Sequence, residues 1–324
     1  MADLRRMVTE EKLAADPAGT QLAEDQAVFA WLGWLALERS ANTRVTYATS
    51  MRKLRAWMAA EGLHFDTLAR ADVLRWRAEL RATQSVATTN LRLAALGSFY
   101  QYLIVEVGLG VTDPTARTKV KGNRAKHKRG PLTDAEMRAL LAPSGTAPAN
   151  LRDDAILAVM AYTGVRLVEL SRARVEHLRV SDGRSVLWVQ GKGHAEPDDY
   201  VVLPVVVEPT LDAWLAVRPG DPATGPLFTS LSNRTRGQAV SVHYLGCVVR
   251  ARVRAACGGR KGVTPHSIRH TTITSAIRHG ATPLQARAMA RHSDINTTLA
   301  YYHSVDRLTN PAEDLVAYDN GGAK

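Results

Sequence analysis

Three short segments in the C-terminal half of the chain set cationic, proton-transferring and nucleophilic side chains at the ends of expected helices. In Thr163-Gly164-Val165-Arg166-Leu167-Val168-Glu169-Leu170, Gly164 ends one helix, Arg166 opens the next, and Glu169 follows one turn on. An arginine at a helix N-terminus opposes the helix dipole, so a nearby anion would account for it; the plainer alternative is a surface Arg166–Glu169 pair. In His266-Ser267-Ile268-Arg269-His270, His266 and Arg269 share one helical face. A guanidinium can grip a phosphate through two parallel hydrogen bonds while an imidazole moves a proton beside it. The third segment is Arg291-His292-Ser293-Asp294-Ile295-Asn296-Thr297-Thr298-Leu299-Ala300-Tyr301-Tyr302-His303. A tyrosine, ordinarily ionising near about pH 10, becomes a covalent nucleophile when cationic neighbours favour its phenolate. Adjacent tyrosines on a helix also suit half-buried packing, and spacing alone does not make Tyr301 or Tyr302 catalytic.

The bulk composition favours a polyanionic partner. The 324 residues carry 42 Lys and Arg against 31 Asp and Glu, a formal charge of +11. Nucleic acid is the commonest partner for such a surplus. The length exceeds that of one core of common size, so two domains are expected. Cys247 and Cys257 build neither a disulfide framework nor a CxxC metal pair, which fits a reducing cytoplasm. The polar start of the chain has no signal-peptide stretch, and no segment is apolar enough for a membrane helix. The expectation is a soluble, cytoplasmic protein without a membrane partner.

The elements that must position the three segments follow from periodicity and caps. Residues 1–20 read as a flexible tail. Val28, Trp31, Leu32 and Leu35 make one apolar helical stripe. Ser40 or Asn42 caps a second helix with Val45, Met51, Leu54, Trp57 and Met58 on its apolar face, ended by Gly62. A third helix runs from about Ala71 to Ala82, and a fourth follows Ser85 through Leu91, Leu93, Leu96, Phe99, Tyr100 and Leu103. Residues 21–112 thus form a helical domain, and 113–131 an exposed basic linker suited to tracking a phosphate backbone. A second domain spans 132–310, opening on a capping box of Thr133 and Glu136. Ser185–Gln190 and Tyr200–Val207 read as a β-hairpin, and the remainder as helices around 153–163, 240–256, 267–279, 283–290 and 296–303. Residues 311–324 form a tail whose Leu315, Val316 and Tyr318 could dock on a neighbouring protomer. The expected class is α+β: mainly helical with a small β-hairpin or sheet.

In order and spacing these segments resemble the catalytic boxes of the tyrosine recombinase, or phage integrase, family. TGVRLVEL resembles the box built around TGxRxxEL, HSIRH resembles HxLRH, and HSDINTTLAYYH resembles HSxxxTTxxYxH, whose nucleophile lies nine residues after the histidine and corresponds to Tyr301. Gln190-Gly191-Lys192-Gly193 resembles the family's GKGxK turn, which makes Lys192 its lysine. More loosely, Ser40, Thr43, Tyr47, Trp57, Ser85, Thr88, Phe99-Tyr100 with Tyr102-Leu103, and Asp113-Pro114 follow the family's core-binding domain. There are two departures. His194-Ala195-Glu196-Pro197-Asp198-Asp199 stands where another basic residue is usual, and Arg291 stands where glycine is common, expected to point outward or to touch phosphate.

The resemblance implies a site-specific recombinase that cuts and rejoins duplex DNA through a 3′-phosphotyrosine on Tyr301. Arg166 and Arg269 would hold the scissile phosphate, and Lys192 would protonate the leaving 5′ oxygen. His266 would assist proton transfer, His292 would donate to the phosphate, and Glu169 would orient a neighbouring arginine or histidine. His270, Tyr302 and His303 read as structural. No ATP, metal or other cofactor is implied, in keeping with the lack of a GxxxxGK[ST] loop or a carboxylate cluster. Partners would be double-stranded DNA with a specific recombination site and, on DNA, a homo-tetramer; an accessory protein or second recombinase stays open. Candidate DNA contacts are Thr43, Arg44, Arg52, Lys53, Thr88, Asn90, Arg92, Lys119, Lys121 and Arg124. The role would be integration or excision of a mobile element, or dimer resolution. The alternatives are a type IB topoisomerase-like relaxing enzyme or a non-catalytic DNA-binding relic.

Overall fold

A computed structural model describes residues 17–121, 131–191, 194, 196–260 and 262–305. The tail 311–324 lies outside them. The chain divides into two compact units, Met1–Ala125 and Lys126–Lys324.

The first unit contains helices α1 (Pro17–Glu38), α2 (Ala41–Glu61), α3 (Arg70–Thr83) and α4 (Val86–Gln101), the last continued by a π-helical turn over Tyr102–Glu106. Ser40 and Ser85 cap α2 and α4 by accepting from the backbone N–H of Thr43 and Thr88, and left-handed Gly62 closes α2. The core gathers Trp31, Leu35, Met51, Leu54, Met58, Trp76, Leu96 and Phe99. Helix α1 starts at Pro17, inside the expected tail. Val45 and Leu91, expected on apolar faces, are exposed. At 100° per residue Val45 lies about 120° around α2 from Met51, and Leu91 about 150° from the centre of the α4 stripe.

The start of the expected linker is not free. Arg70 Nε donates to Ala116 O at 3.1 Å and Arg77 Nη1 to Thr118 O at 2.9 Å. Asn90 clamps Val120, donating to its carbonyl at 2.9 Å and accepting from its N–H at 2.8 Å. Basic residues can therefore be held close when backbone groups, rather than their own charges, are buried; Thr118 is buried while Lys119 and Lys121 stay exposed. Asn90→Ala leaves both Val120 groups without these partners and should lower the stability of this unit by about 1–3 kcal/mol. Hydrogen exchange over residues 113–121, unchanged in that variant, would rule out the clamp.

The second unit contains α5 (Asp134–Leu141), α6 (Pro148–Thr163), α7 (Leu167–Arg172), strands β1 (Leu178–Ser181), β2 (Arg184–Val189) and β3 (Asp199–Val202), then α8 (Glu208–Leu215), α9 (Val242–Ala256), α10 (Pro265–Arg278), α11 (Pro283–Ala290) and α12 (Ile295–Val305). Thr133 and Glu136 form the expected capping box. Apolar α6 runs through the core beside Leu140, Leu187, Trp214, Phe228, Leu245 and Ile268. The sheet is antiparallel in the order β1-β2-β3, with Leu187 opposite both Leu178 and Val201. It has one strand more than the expected hairpin, because mostly exposed β1 shows no clear apolar alternation. Val205–Val207 is a 3₁₀ turn, not strand, since Pro204 has no N–H to continue the ladder. Helix α8 is an addition to the expected elements; its sequence signal is Pro209 at the first turn and the buried pair Leu211 and Trp214.

Candidate active site

Helix α6 ends at left-handed Gly164, and the chain turns at once into α7 with Arg166 as its N-cap residue. Glu169 Oε2 accepts from Arg166 N at 2.7 Å, and Oε1 from Arg166 Nη1 at 2.7 Å. The Glu169 side chain is only 2% exposed, so this is no surface pair. Its second partner is Arg291, whose Nη2 lies 2.6 Å from Glu169 Oε2. Arg291 does not point outward: its side chain turns in at the end of α11, 6% exposed, with backbone φ 50 and ψ 51. Its carbonyl accepts from Arg166 Nη2 at 3.3 Å. Burial pushes the Glu169 carboxyl up, but Arg291 and Arg166 more than reverse this and hold it below the ordinary range.

Arg269, on α10, is buried and donates to Gly164 O and Ala290 O, joining the α6–α7 turn to the end of α11. Burial, then Arg166 and Arg291, push its guanidinium down to about 10, so it stays cationic at neutral pH. Thr272, one turn on, donates to Ala161 O at 2.8 Å and fastens α10 to α6. His266 sits exposed in the first turn of α10. His270 is buried, with Nδ1 3.2 Å from Thr274 Oγ1 and its ring centroid 4.8 Å from that of Tyr301.

His292 follows Arg291 directly, and its Nδ1 lies 2.9 Å from Thr298 Oγ1 on α12. Burial, then Arg269, Arg166, Arg291 and His266, push its imidazole down to about 4, so it is neutral at neutral pH. Between pH 6.5 and about 4 the unfolded chain takes up a proton that folded His292 refuses. Stability should therefore fall as pH drops through that window and level off below it. Thermal melts of His292→Gln should show a flatter acid limb; a limb identical to wild type would refute the assignment.

Tyr301 is 3% exposed and packs with Ile273, Ile277, Ala286 and Ala290, its ring stacked 6.1 Å from that of His292. Burial pushes its phenol up, while Arg269 pulls it back. The hydroxyl of Tyr302 donates to Ala281 O. Arg166, His266, Arg269, His292 and Tyr301 thus converge from three separate segments of the chain. Lys192 lies outside the described residues. Of the acidic residues that follow the turn, Asp198 accepts from Gly191 N at 3.0 Å and faces His194 Nδ1 at 3.1 Å, so this carboxylate is engaged locally.

Of the candidate DNA contacts, Arg52, Lys53, Lys119 and Lys121 are exposed, and Arg124 lies outside the described residues. Thr43 and Thr88 are half-buried with hydroxyls on the capping serines, and Arg44 is half-buried. Two depart from expectation: Asn90 holds Val120 with both ends of its amide, and Arg92 is buried, which lowers its pKa. Thr298, against His292, and Arg291, against Glu169, are parts of the site that their own sequence surroundings do not reveal. The only local signal for Arg291 was its place at a helix end, where a left-handed residue is common.

The catalytic-domain model of the phage integrase family matches residues 131–307, and the model of the phage integrase N-terminal SAM-like domain matches residues 28–107. A tyrosine recombinase of Synechococcus elongatus is 32% identical over 280 residues, covering 81% of this chain and 85% of its own. Tyrosine recombinase XerD of Pseudomonas aeruginosa is 29% identical over 276 residues, covering 83% and 89%. The fold matches XerH site-specific recombinase bound to palindromic difH substrate (TM-score 0.71, 17% identity, 96% of this chain and 87% of that one). It also matches the Tn1549 transposon integrase in complex with circular intermediate DNA (TM-score 0.67, 18% identity, 90% and 99%). With both units matched and the convergent arginines, histidines and tyrosine in place, the chain belongs to the phage integrase family of tyrosine recombinases.

Proposed function

We propose that this recombinase cleaves and rejoins DNA at a specific site through Tyr301. The observation that carries the reading is the convergence of Arg166 and Arg269 with neutral His292 and Tyr301 around one cationic cluster. Guanidiniums fixed before substrate arrives stabilise the charge that develops on a five-coordinate phosphorus without reorganising. Arg166 and Arg269 hold the non-bridging oxygens, and Tyr301 Oη attacks in line. The bond to the 5′ oxygen breaks, leaving a 3′-phosphotyrosine and a free 5′-hydroxyl. His266, on the exposed turn of α10, takes the phenol proton, and Lys192 protonates the leaving oxygen. A Thr298 hydroxyl donating to His292 Nδ1 leaves the Nε2–H tautomer, which donates to the phosphate. Attack by a 5′-hydroxyl of another strand reverses the step; the tyrosyl link conserves the phosphodiester energy, so ATP has no part.

Phosphate contacts from Arg52, Lys53, Lys119 and Lys121 would supply much of the affinity. Four cleavages on two sites call for four copies, and a lambda integrase tetramer bound to a Holliday junction shares the fold (TM-score 0.64, 15% identity, 86% of this chain and 76% of that one). Integration, excision and dimer resolution all use this chemistry. A relaxing enzyme or a non-catalytic relic is not favoured, since the relatives are recombinases and the described catalytic positions hold competent residues.

The test uses nicked duplexes tiled across the DNA flanking the protein's own gene. The wild type should form an adduct that survives boiling in detergent, with the nucleotide mapped by mass spectrometry to the peptide bearing Tyr301. Reversible binding without an adduct on any duplex would sink the reading.

A further inference from the structure

Arg291 occupies a conformation that non-glycine residues rarely adopt, and its side chain is 6% exposed. A long cation is thus both strained in its backbone and withdrawn from water, which needs a compensating interaction. Glu169 supplies it: Arg291 Nη2 meets the same Oε2 that accepts from the Arg166 backbone, while Arg166 Nη1 takes Oε1. Arg291 Nη1 is anchored on Met289 O at 3.1 Å.

This arrangement has a consequence for Arg166, whose side chain is 40% exposed and is the accessible member of the trio. Alone with Glu169, Arg166 would be neutralised by a carboxylate in direct contact, and its pull on an incoming anion would be weak. Arg166, Arg269 and Arg291 against the one carboxylate of Glu169 leave a surplus of two positive charges; without Arg291 the surplus is one. The left-handed turn also aims the Arg291 carbonyl at Arg166 Nη2, so Arg166 is held from two sides.

We propose that Arg291 is a positioning residue for DNA cleavage: it takes up the charge of Glu169, so that Arg166 is held in place and keeps its own charge for the scissile phosphate. This rests on the reading of Arg166 and Arg269 as the phosphate-holding pair. Arg291 itself, engaged on Glu169, does not touch DNA.

Arg291→Gly tests this cleanly, because glycine adopts the left-handed turn without strain and keeps the carbonyl that Arg166 uses. Arg291→Lys keeps the charge but loses the fork. Cleavage rate and DNA affinity are measured separately for each on the duplex captured by the wild type, from pH 5 to 8. In Arg291→Gly cleavage should fall about tenfold or more, while the dissociation constant stays within about threefold. Its acid limb should move to higher pH: the groups facing Glu169 are Arg166, Arg269 and Arg291, and losing one lets Glu169 protonate sooner. Arg291→Lys should recover part of the rate and return the limb toward wild type.

A glycine variant as fast as wild type with an unmoved limb would overturn the proposal. So would an affinity loss equal to the loss in rate, since Arg291 would then be a phosphate contact. A wild type that forms no adduct would instead bring down the reading of the site, and this proposal with it; the two failures are told apart by the wild-type lane.

Discussion

Tyr301→Phe should abolish the covalent DNA adduct, by at least about 10⁴-fold, while Tyr302→Phe keeps it within about tenfold. Removing the hydroxyl deletes the only atom proposed to bond phosphorus, and no neighbour can substitute at that position. The two tyrosines are adjacent but differently occupied. Tyr301 lies against His270 and His292, within the electrostatic reach of Arg269. Tyr302 commits its hydroxyl to Ala281 O in the α10–α11 connection. Losing that hydroxyl should cost about 1 kcal/mol of stability and little else. DNA binding by Tyr301→Phe should stay close to wild type, since its ring packing is retained. An adduct that survives in Tyr301→Phe and vanishes in Tyr302→Phe would show that the register is off by one residue.

Arg269→Ala should be the most damaging change that leaves the nucleophile intact. Cleavage should fall by about 10³-fold or more, as expected for loss of a preorganised cation facing developing charge. Stability should fall too, by roughly 2–5 kcal/mol, because the carbonyls of Gly164 and Ala290 would be left buried without this donor. Arg269→Lys separates charge from shape. An ammonium keeps the positive charge, but cannot bridge two carbonyls and still present a planar edge to a phosphate. Its cleavage rate should remain about a hundredfold down, with a smaller loss of stability. Melting curves and adduct rates on the same preparations decide the matter. If Arg269→Lys cleaves within tenfold of wild type, the fork geometry is irrelevant and the residue acts as a point charge only.

Both expectations depend on how the charges are packed. Arg269 stays protonated although burial, Arg166 and Arg291 all lower its pKa, because a guanidinium starts far above neutrality. His292, starting at 6.5, meets the same field and loses its proton. One cluster thereby holds a permanent cation beside a neutral hydrogen-bonding ring, which suits holding an anion without repelling the second donor.

Much of the local structure follows from short stretches of sequence. Ser40, Ser85 and Thr133 cap helices because their side chains reach an N–H only three residues ahead, and Gly62 and Gly164 end helices because glycine enters the left-handed region freely. The apolar stripes of α2, α3 and α4 and the order of the three motif segments are likewise written along the chain. Other features depend on residues far apart in sequence. Asn90 meets Val120, Arg291 meets Glu169 across 122 positions, and Arg269 bridges Gly164 and Ala290. Neither Asn90 nor Arg291 has a local pattern that separates an inward role from a surface one. An exposed polar residue and a buried, satisfied one have the same chemistry and the same periodicity. What distinguishes them is the low-dielectric partner that packing brings alongside, and only the tertiary structure decides which partner arrives.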